Sequence, residues 1–446
     1  MHQSESSLED IEKHSKSEQD AETKQEPRPE PETKLKTELI TPNPDDFPDG
    51  GLQAWTVVAG GFCAIFCSFG WINCIGVFQN YYEQNQLKQY SSSTIAWIPS
   101  TQSFMLFFPG FFAGKMSDEL GPRIPILLGS FLHIFGLMMT SISTKYYQFF
   151  LAQSVCSGLG CSFLFYPAIA ACGSWFLRHR ALAFGIMVSG SSIGGVVLPI
   201  MVQHLIPRIG FGWTMRAVAF MFLGLLIIAN LTIKSRLPPA RRAFDFMDLV
   251  RPFTEKPYLL LALASFFIYI GGFLPFNFLI VQAEASGMST KLASYLIPIL
   301  NGVSTFGRIV PAHVGDTFGV FNVMIVISAF GGIMTLAIWL PAAANALIII
   351  YAIMYGFASG CTLSIIPAMV AKLGKINQLG ARSGALYAFS SIGVLVGSPI
   401  GGAIQNSQHG RYSGLIIFAG VTSLIGTLFA VLSRTAQVGF KIKAKV

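Results

Sequence analysis

Apolar stretches of about 20 residues recur along this chain, each long enough to cross roughly 30 Å of hydrocarbon at 1.5 Å per helical residue. Twelve are expected, near residues 54–78, 94–114, 124–143, 147–171, 183–205, 213–233, 258–282, 293–313, 320–340, 346–370, 382–404 and 413–433. Composition points the same way: 52% of the 446 residues are apolar, 12% are charged, and the mean hydropathy is +0.56. The expected fold class is an all-α membrane protein of 12 transmembrane helices.

Charge is unevenly placed. Residues 1–53 hold 14 of the 22 acidic side chains and 6 of the 30 basic ones. The first 48 residues are Glu, Lys, Ser, Gln and Pro, including Pro27, Pro29 and Pro31 between charges. Such a segment buries too little apolar surface to offset its ordering entropy, and a disordered cytosolic tail is expected. The remaining cations sit in short connections between apolar runs, not on one amphipathic face, which excludes nucleic acid. With an internal amino terminus, the even-numbered connections and the carboxyl tail carry 17 Lys and Arg against 5 in the odd ones. Both termini are therefore expected in the cytosol. The stretch 234–257 is expected to be a basic linker between a six-helix bundle at 49–233 and another at 258–433, followed by a basic tail at 434–446. No apolar segment follows a basic start, so insertion is expected to use the first membrane helix. All seven cysteines lie inside apolar segments without metal-ligand spacing and read as small buried hydrophobes.

The chain also repeats itself. GCSFLFYPA at 160–168 returns as GCTLSIIPA at 360–368, SSIG at 191–194 returns at 390–393, and Asp118 and Gly121 return as Asp316 and Gly319. A nearly constant offset in the same order indicates duplicated halves of six spans each. Halves related by an axis along the membrane normal usually enclose a solute site near the midplane and rock around it.

GKMSDELGPR, with Gly114, Asp118, Gly121 and Arg123, resembles the loop between helices 2 and 3 of the major facilitator superfamily, and the copy at Asp316 fits the same likeness. The resemblance implies a gating role, with Asp118 near a helix end and the opposite half, holding the cytosolic side closed. A carboxylate at a helix N-terminus is favoured by the helix dipole. PDGGLQAW at 48–55 (Asp49, Gly50, Gly51, Trp55) and WFLRHRALAFG at 175–185 (Phe176, Arg178, Arg180, Gly185) together resemble the monocarboxylate-transporter family in its fungal form. Animal members place a lysine in helix 1 and an Asp in helix 8, where this chain has Asn73 and Ser304, so the resemblance does not carry lactate-type proton symport across.

Arg308 is the main ionisable candidate in the pathway. It could grip a carboxylate bidentately, or instead snorkel and pair with carbonyls or Asp316. The other expected pathway residues are neutral: Asn73, Tyr166, Asn277, Asn301, Ser304, Tyr355 and Tyr387, with Trp71, Phe273 and Phe276 nearby. Gly190 with Gly194, and Gly393 with Gly397 and Gly401, read as packing ridges. Proline inside the spans reads as helix interruption. No catalytic residue, metal site, cofactor or phosphate-binding loop is expected, which excludes ATP as the driving force.

The expected function is secondary active transport of a small amphipathic or carboxylated metabolite by alternating access, with efflux of a fungal secondary metabolite favoured over uptake of a nutrient, vitamin or monocarboxylate. A non-transporting membrane sensor is the reading from another class. Expected partners are a small-molecule substrate, the lipid bilayer and a coupling proton. The plasma membrane is the expected site, with the vacuolar membrane as the alternative.

Overall fold

The apolar runs emerge as helices, and glycine or proline sets where several of them break. The computed structural model describes residues 47–239, 246–441 and 444–445. The tail expected to be disordered lies outside the described residues up to residue 46, as do Arg241, Arg242 and Lys443. Among the described residues the regular structure is helical, with no strand.

In chain order the helices are α1 (Leu52–Ile72), α2 (Ile75–Gln84), α3 (Ser92–Phe107), α4 (Gly110–Leu120), α5 (Arg123–Ile142), α6 (Tyr146–Gly173) and α7 (Arg180–Thr232). They continue as α8 (Met247–Thr254), α9 (Lys256–Gly272), α10 (Leu274–Ala285), α11 (Leu296–Phe318), α12 (Val320–Trp339), α13 (Asn345–Leu373), α14 (Leu379–Ser407) and α15 (Ser413–Val438). Among the described residues, nine uninterrupted or nearly uninterrupted helices are long and apolar enough to cross a membrane. The longest of them, α7, turns at Gly210, whose φ of 76° is open to glycine and strained for other residues.

Breaks fall where the sequence loses helical backbone bonding. Pro109 follows the end of α3, and Asn73 ends α1 with its side-chain amide donating to the Phe69 carbonyl at 3.1 Å. Pro275 lies in the first turn of α10, where a missing N–H costs no helical bond, and so opens that helix. By contrast Pro99, Pro167, Pro199, Pro311, Pro367 and Pro399 lie inside helices. Two helices run past their apolar stretches: α4 continues to Leu120 and α11 to Phe318, each stopped by a glycine at positive φ, Gly121 at 82° and Gly319 at 99°.

Large apolar side chains point outward along these rods, among them Leu127, Phe131 and Phe135 on α5, Phe220 and Leu231 on α7, and Val326 on α12. In water such a surface would drive association; against lipid it is the matching solvent. Inward faces meet through small residues. A Cβ on Gly190 would stand 2.4 Å from the Phe62 carbonyl oxygen of α1, and one on Gly397 would stand 2.5 Å from the Ile270 oxygen of α9.

Close crossings also join α4 to α14 and α7 to α11. A Cβ on Gly384 would lie 2.1 Å from the Gly110 oxygen, one on Gly114 2.0 Å from the Gly380 oxygen, and one on Gly185 2.4 Å from the Arg308 oxygen. Gly384→Ala is therefore expected to lower the melting temperature by several degrees, as overpacking a close contact costs about 1–3 kcal/mol. Gly402→Ala on the same helix, whose Cβ would meet nothing nearer than Phe278 at 3.9 Å, should leave it unchanged or raised. Thermal unfolding of the purified variants checks the pair.

Candidate functional site

At one end of the bundle, two carboxylates each hold the first turn of a distant helix. Asp118, near the end of α4, accepts the N–H of Gly380 at 3.2 Å and that of Ala381 at 2.8 Å, both at the start of α14. Asp316, near the end of α11, accepts the N–H of Ala181 at 2.9 Å and that of Leu182 at 2.8 Å, both at the start of α7. The first N–H groups of a helix have no partner within it and carry the positive end of its dipole, so a carboxylate is the complementary group. Removal from water raises the Asp118 carboxyl, and its two N–H donors, which favour the ionised form, oppose that rise. The Asp316 carboxyl is raised for the same reason. Gly121 and Gly319 end the two carrier helices just beyond, and Arg123 stands exposed at the start of α5.

A second set of contacts braces this end. Lys115, buried on α4, bonds Asp248 of α8 at 2.7 Å and lies 3.5 Å from Glu119. Arg382 of α14 pairs with Glu255 and lies over the Tyr258 ring at 5.2 Å, tying α14 to the start of α9.

The two stretches that carry the sequence motifs meet each other. The Asp49 carboxylate accepts the N–H of Leu177 at 2.6 Å and of Arg178 at 2.7 Å, while its own N–H reaches the Trp175 carbonyl at 3.1 Å. Asp49 has φ of 49° and Gly51 φ of 85°, the second of which glycine takes without strain. Trp55 lies edge-on to Phe176 at 5.2 Å. Arg180 donates Nε to the Phe176 carbonyl at 2.6 Å and places its guanidinium over Phe47 at 5.3 Å. Gly185 lets α7 lie directly on the Arg308 backbone.

Deeper in the bundle, Arg308 is buried and donates Nη1 to the Val188 carbonyl at 2.8 Å and to the Ser191 hydroxyl, both on α7. Its Nε has no hydrogen-bond partner. Asp316, the alternative partner considered from sequence, is instead engaged with Ala181 and Leu182. Two turns of α11 continue the same seam: Ser304 meets the Ser192 hydroxyl at 2.6 Å, and Asn301 packs against Gly195. Tyr166 donates to the Phe107 carbonyl at 3.2 Å, and its ring stands 5.9 Å from that of Tyr387. Tyr355 donates to the Gly272 carbonyl at 2.7 Å, and the exposed Asn277 donates to Ser398 at 2.6 Å.

The structure thus gathers Arg308, Ser304 and Asn301 on one seam, and Tyr166 with Tyr387 in an aromatic cluster. Asn73 turns its amide back onto its own helix. Sequence reasoning missed Ser191 and Ser192 as partners, although the repeated SSIG pointed to them. It also missed Gly110, Gly380, Gly384 and Tyr269, which carry no local signal.

Residues 60–374 match the family model described as Major Facilitator Superfamily, and the chain belongs to that family. It is 48% identical over 404 residues to MFS-type transporter 1 of Ophiocordyceps sp. (strain BCC 1869), covering 91% of this chain and 90% of that protein. It is 43% identical over 388 residues to the Fujikurins efflux protein of Gibberella fujikuroi, covering 87% and 83%. Its fold is similar to the crystal structure of the human organic anion transporter MFSD10 (TETRAN), with TM-score 0.70, 14% identity, and coverage of 85% and 98%. The chain is accordingly a multi-pass membrane transporter, not an enzyme.

Asparagine offers one acceptor oxygen where aspartate offers two. Asp118→Asn should speed amide hydrogen exchange at Gly380 and Ala381 by roughly five- to tenfold, the equivalent of about 1–1.4 kcal/mol, and leave Ala181 and Leu182 unchanged. Asp316→Asn should do the reverse. Exchange read by mass spectrometry at peptide resolution separates the two.

Proposed function

We propose that the chain is a secondary active exporter of a small, amphipathic, acceptor-rich fungal metabolite, working by alternating access. The observation that carries this reading is Arg308: a buried guanidinium on α11 with one unpartnered Nε and no ion pair among the described residues. A buried cation left without a counter-charge is costly and calls for an anionic or strongly polar ligand. The name of the Gibberella fujikuroi relative supports efflux as the direction.

The helices support twelve crossings if α1 with α2, α3 with α4, and α9 with α10 count as single broken spans and α7 as two spans about Gly210. They then divide six and six at residues 234–257. On the distribution of Lys and Arg, the Asp118 end faces the cytosol. In this state the cytosolic end is closed by the Asp118 and Asp316 contacts. Opening it breaks four N–H bonds to carboxylates that water replaces, while the gating glycines let the same helices return to close contact. The fused Asp49 and WFLRHRALA motifs support the fungal monocarboxylate-transporter-like branch.

Metabolite profiling of cells and medium, with and without the gene, tests the reading. A compound retained inside deletion cells and released on re-expression is the expected result, and one left in the medium by deletion cells would reverse the direction. Arg308→Ala is expected to lower export at least tenfold with surface protein unchanged; wild-type saturation kinetics in both Arg308→Ala and Arg308→Lys would remove Arg308 from the substrate site.

A further inference from the structure

We infer that the aromatic cluster around Tyr387 is the subsite that selects the substrate, and that it takes a planar, conjugated ring system bearing an acceptor oxygen. This rests on the reading of the chain as a transporter of an amphipathic metabolite and names the class of metabolite.

The rings come from both sides of the close contact. Phe107 ends α3 and Tyr166 lies on α6; Tyr269 lies on α9, Phe273 at its end, and Tyr387 on α14. Phe107 lies over Tyr387 with centroids 5.7 Å apart and planes inclined by only 23°. Tyr269 stands 6.0 Å from Phe107 and 6.2 Å from Tyr387, and Phe273 stands 6.5 Å from Phe107. Each ring of one side thus meets rings of the other across a surface that must separate when the bundle opens.

Packing accounts for the rings but not for their hydroxyls. Tyr166 donates to the Phe107 carbonyl, whereas the buried hydroxyls of Tyr269 and Tyr387 face only each other, and neither has a hydrogen-bond partner within 3.5 Å. Phenylalanine at either position would fill the same space without an orphaned polar group, which is costly away from water. Two hydroxyls that face each other beyond full hydrogen-bond distance fit an acceptor oxygen that enters between them and is absent when the cluster closes on itself.

Geometry restricts the shape. A flat ring slipped between two others needs roughly 7 Å between them, two carbon contact distances of about 3.5 Å. Phe107 and Tyr387 need part by only ~1–2 Å from their 5.7 Å spacing to accept it. Offset stacking on the ligand then replaces in kind the ring-on-ring stacking that opening breaks. A puckered, saturated ring is thicker and offers no π face, so it satisfies neither the spacing nor the stacking.

The test is calorimetric titration of the full-length protein in lipid nanodiscs with 2-naphthoate and with decahydro-2-naphthoate, which share a carbon skeleton and a carboxylate but differ in planarity. The expected result is at least tenfold tighter binding of 2-naphthoate. Tyr269→Phe and Tyr387→Phe should each weaken it three- to tenfold, with the ligand-free melting temperature unchanged or raised, an outcome that a structural hydroxyl would not give. Phe107→Leu should erase the preference between the two probes. Equal affinities, no binding of either probe, full affinity in both Tyr→Phe variants, or a preference that survives Phe107→Leu would each overturn the inference. Export in cells together with equal affinities would sink the aromatic subsite alone, and a planar preference without export would sink the transport reading alone.

Discussion

The structure depends on a carboxylate meeting the N-terminus of a helix that lies far from it in sequence. Asp118 and Asp316 each satisfy two N–H groups that no helix can satisfy for itself, and each joins helices more than 130 residues apart. Among the described residues neither carboxylate is held in a salt bridge, so the contact is strong enough to close a path and weak enough to be exchanged for water. Everything on the same seam inherits this property: Ser192 with Ser304, and Arg308 with Val188, are single hydrogen bonds across a glycine-smoothed surface.

The two crossings are copies of each other with one informative difference. Gly384 lies on Gly110 as Gly185 lies on Arg308, at the offset of 198 to 199 that also relates Asp118 to Asp316 and Gly380 with Ala381 to Ala181 with Leu182. Where one copy carries the Arg308 side chain, the other has the bare Gly110, and the Tyr166 ring takes the space a Cβ there would fill. A cation and an aromatic ring thus occupy equivalent places, which gives a pseudo-symmetric frame an asymmetric interior. Asymmetry of that kind lets a frame with two similar gates hold one oriented ligand.

Much of this was legible in the sequence. The apolar runs form helices because in a bilayer an uncharged run of about 20 residues must satisfy its own backbone groups. Gly121 and Gly319 stop α4 and α11 because only glycine takes positive φ without strain, and the repeat of D-x-x-G showed that both stops belong to one device. The breaks at Asn73 and Phe273 were not legible, since neither run loses hydropathy there. Nor was the meeting of Asp49 with Leu177 and Arg178 across 128 residues of chain, although both stretches stood out.

The sequence by itself determined which segments are helical, where several of them stop, and that the same arrangement occurs twice, because these follow from hydropathy, backbone strain and self-similarity along the chain. Only the tertiary structure decided that Gly110 faces Gly384, that Arg308 reaches the Val188 carbonyl and the Ser191 hydroxyl of α7 with its Nε left over, and that Tyr269 joins Tyr166 and Tyr387 in one cluster. Those pairings depend on helix rotation and crossing, and in a helix apolar nearly all round, such as α9 or α13, no periodic pattern announces which face turns inward.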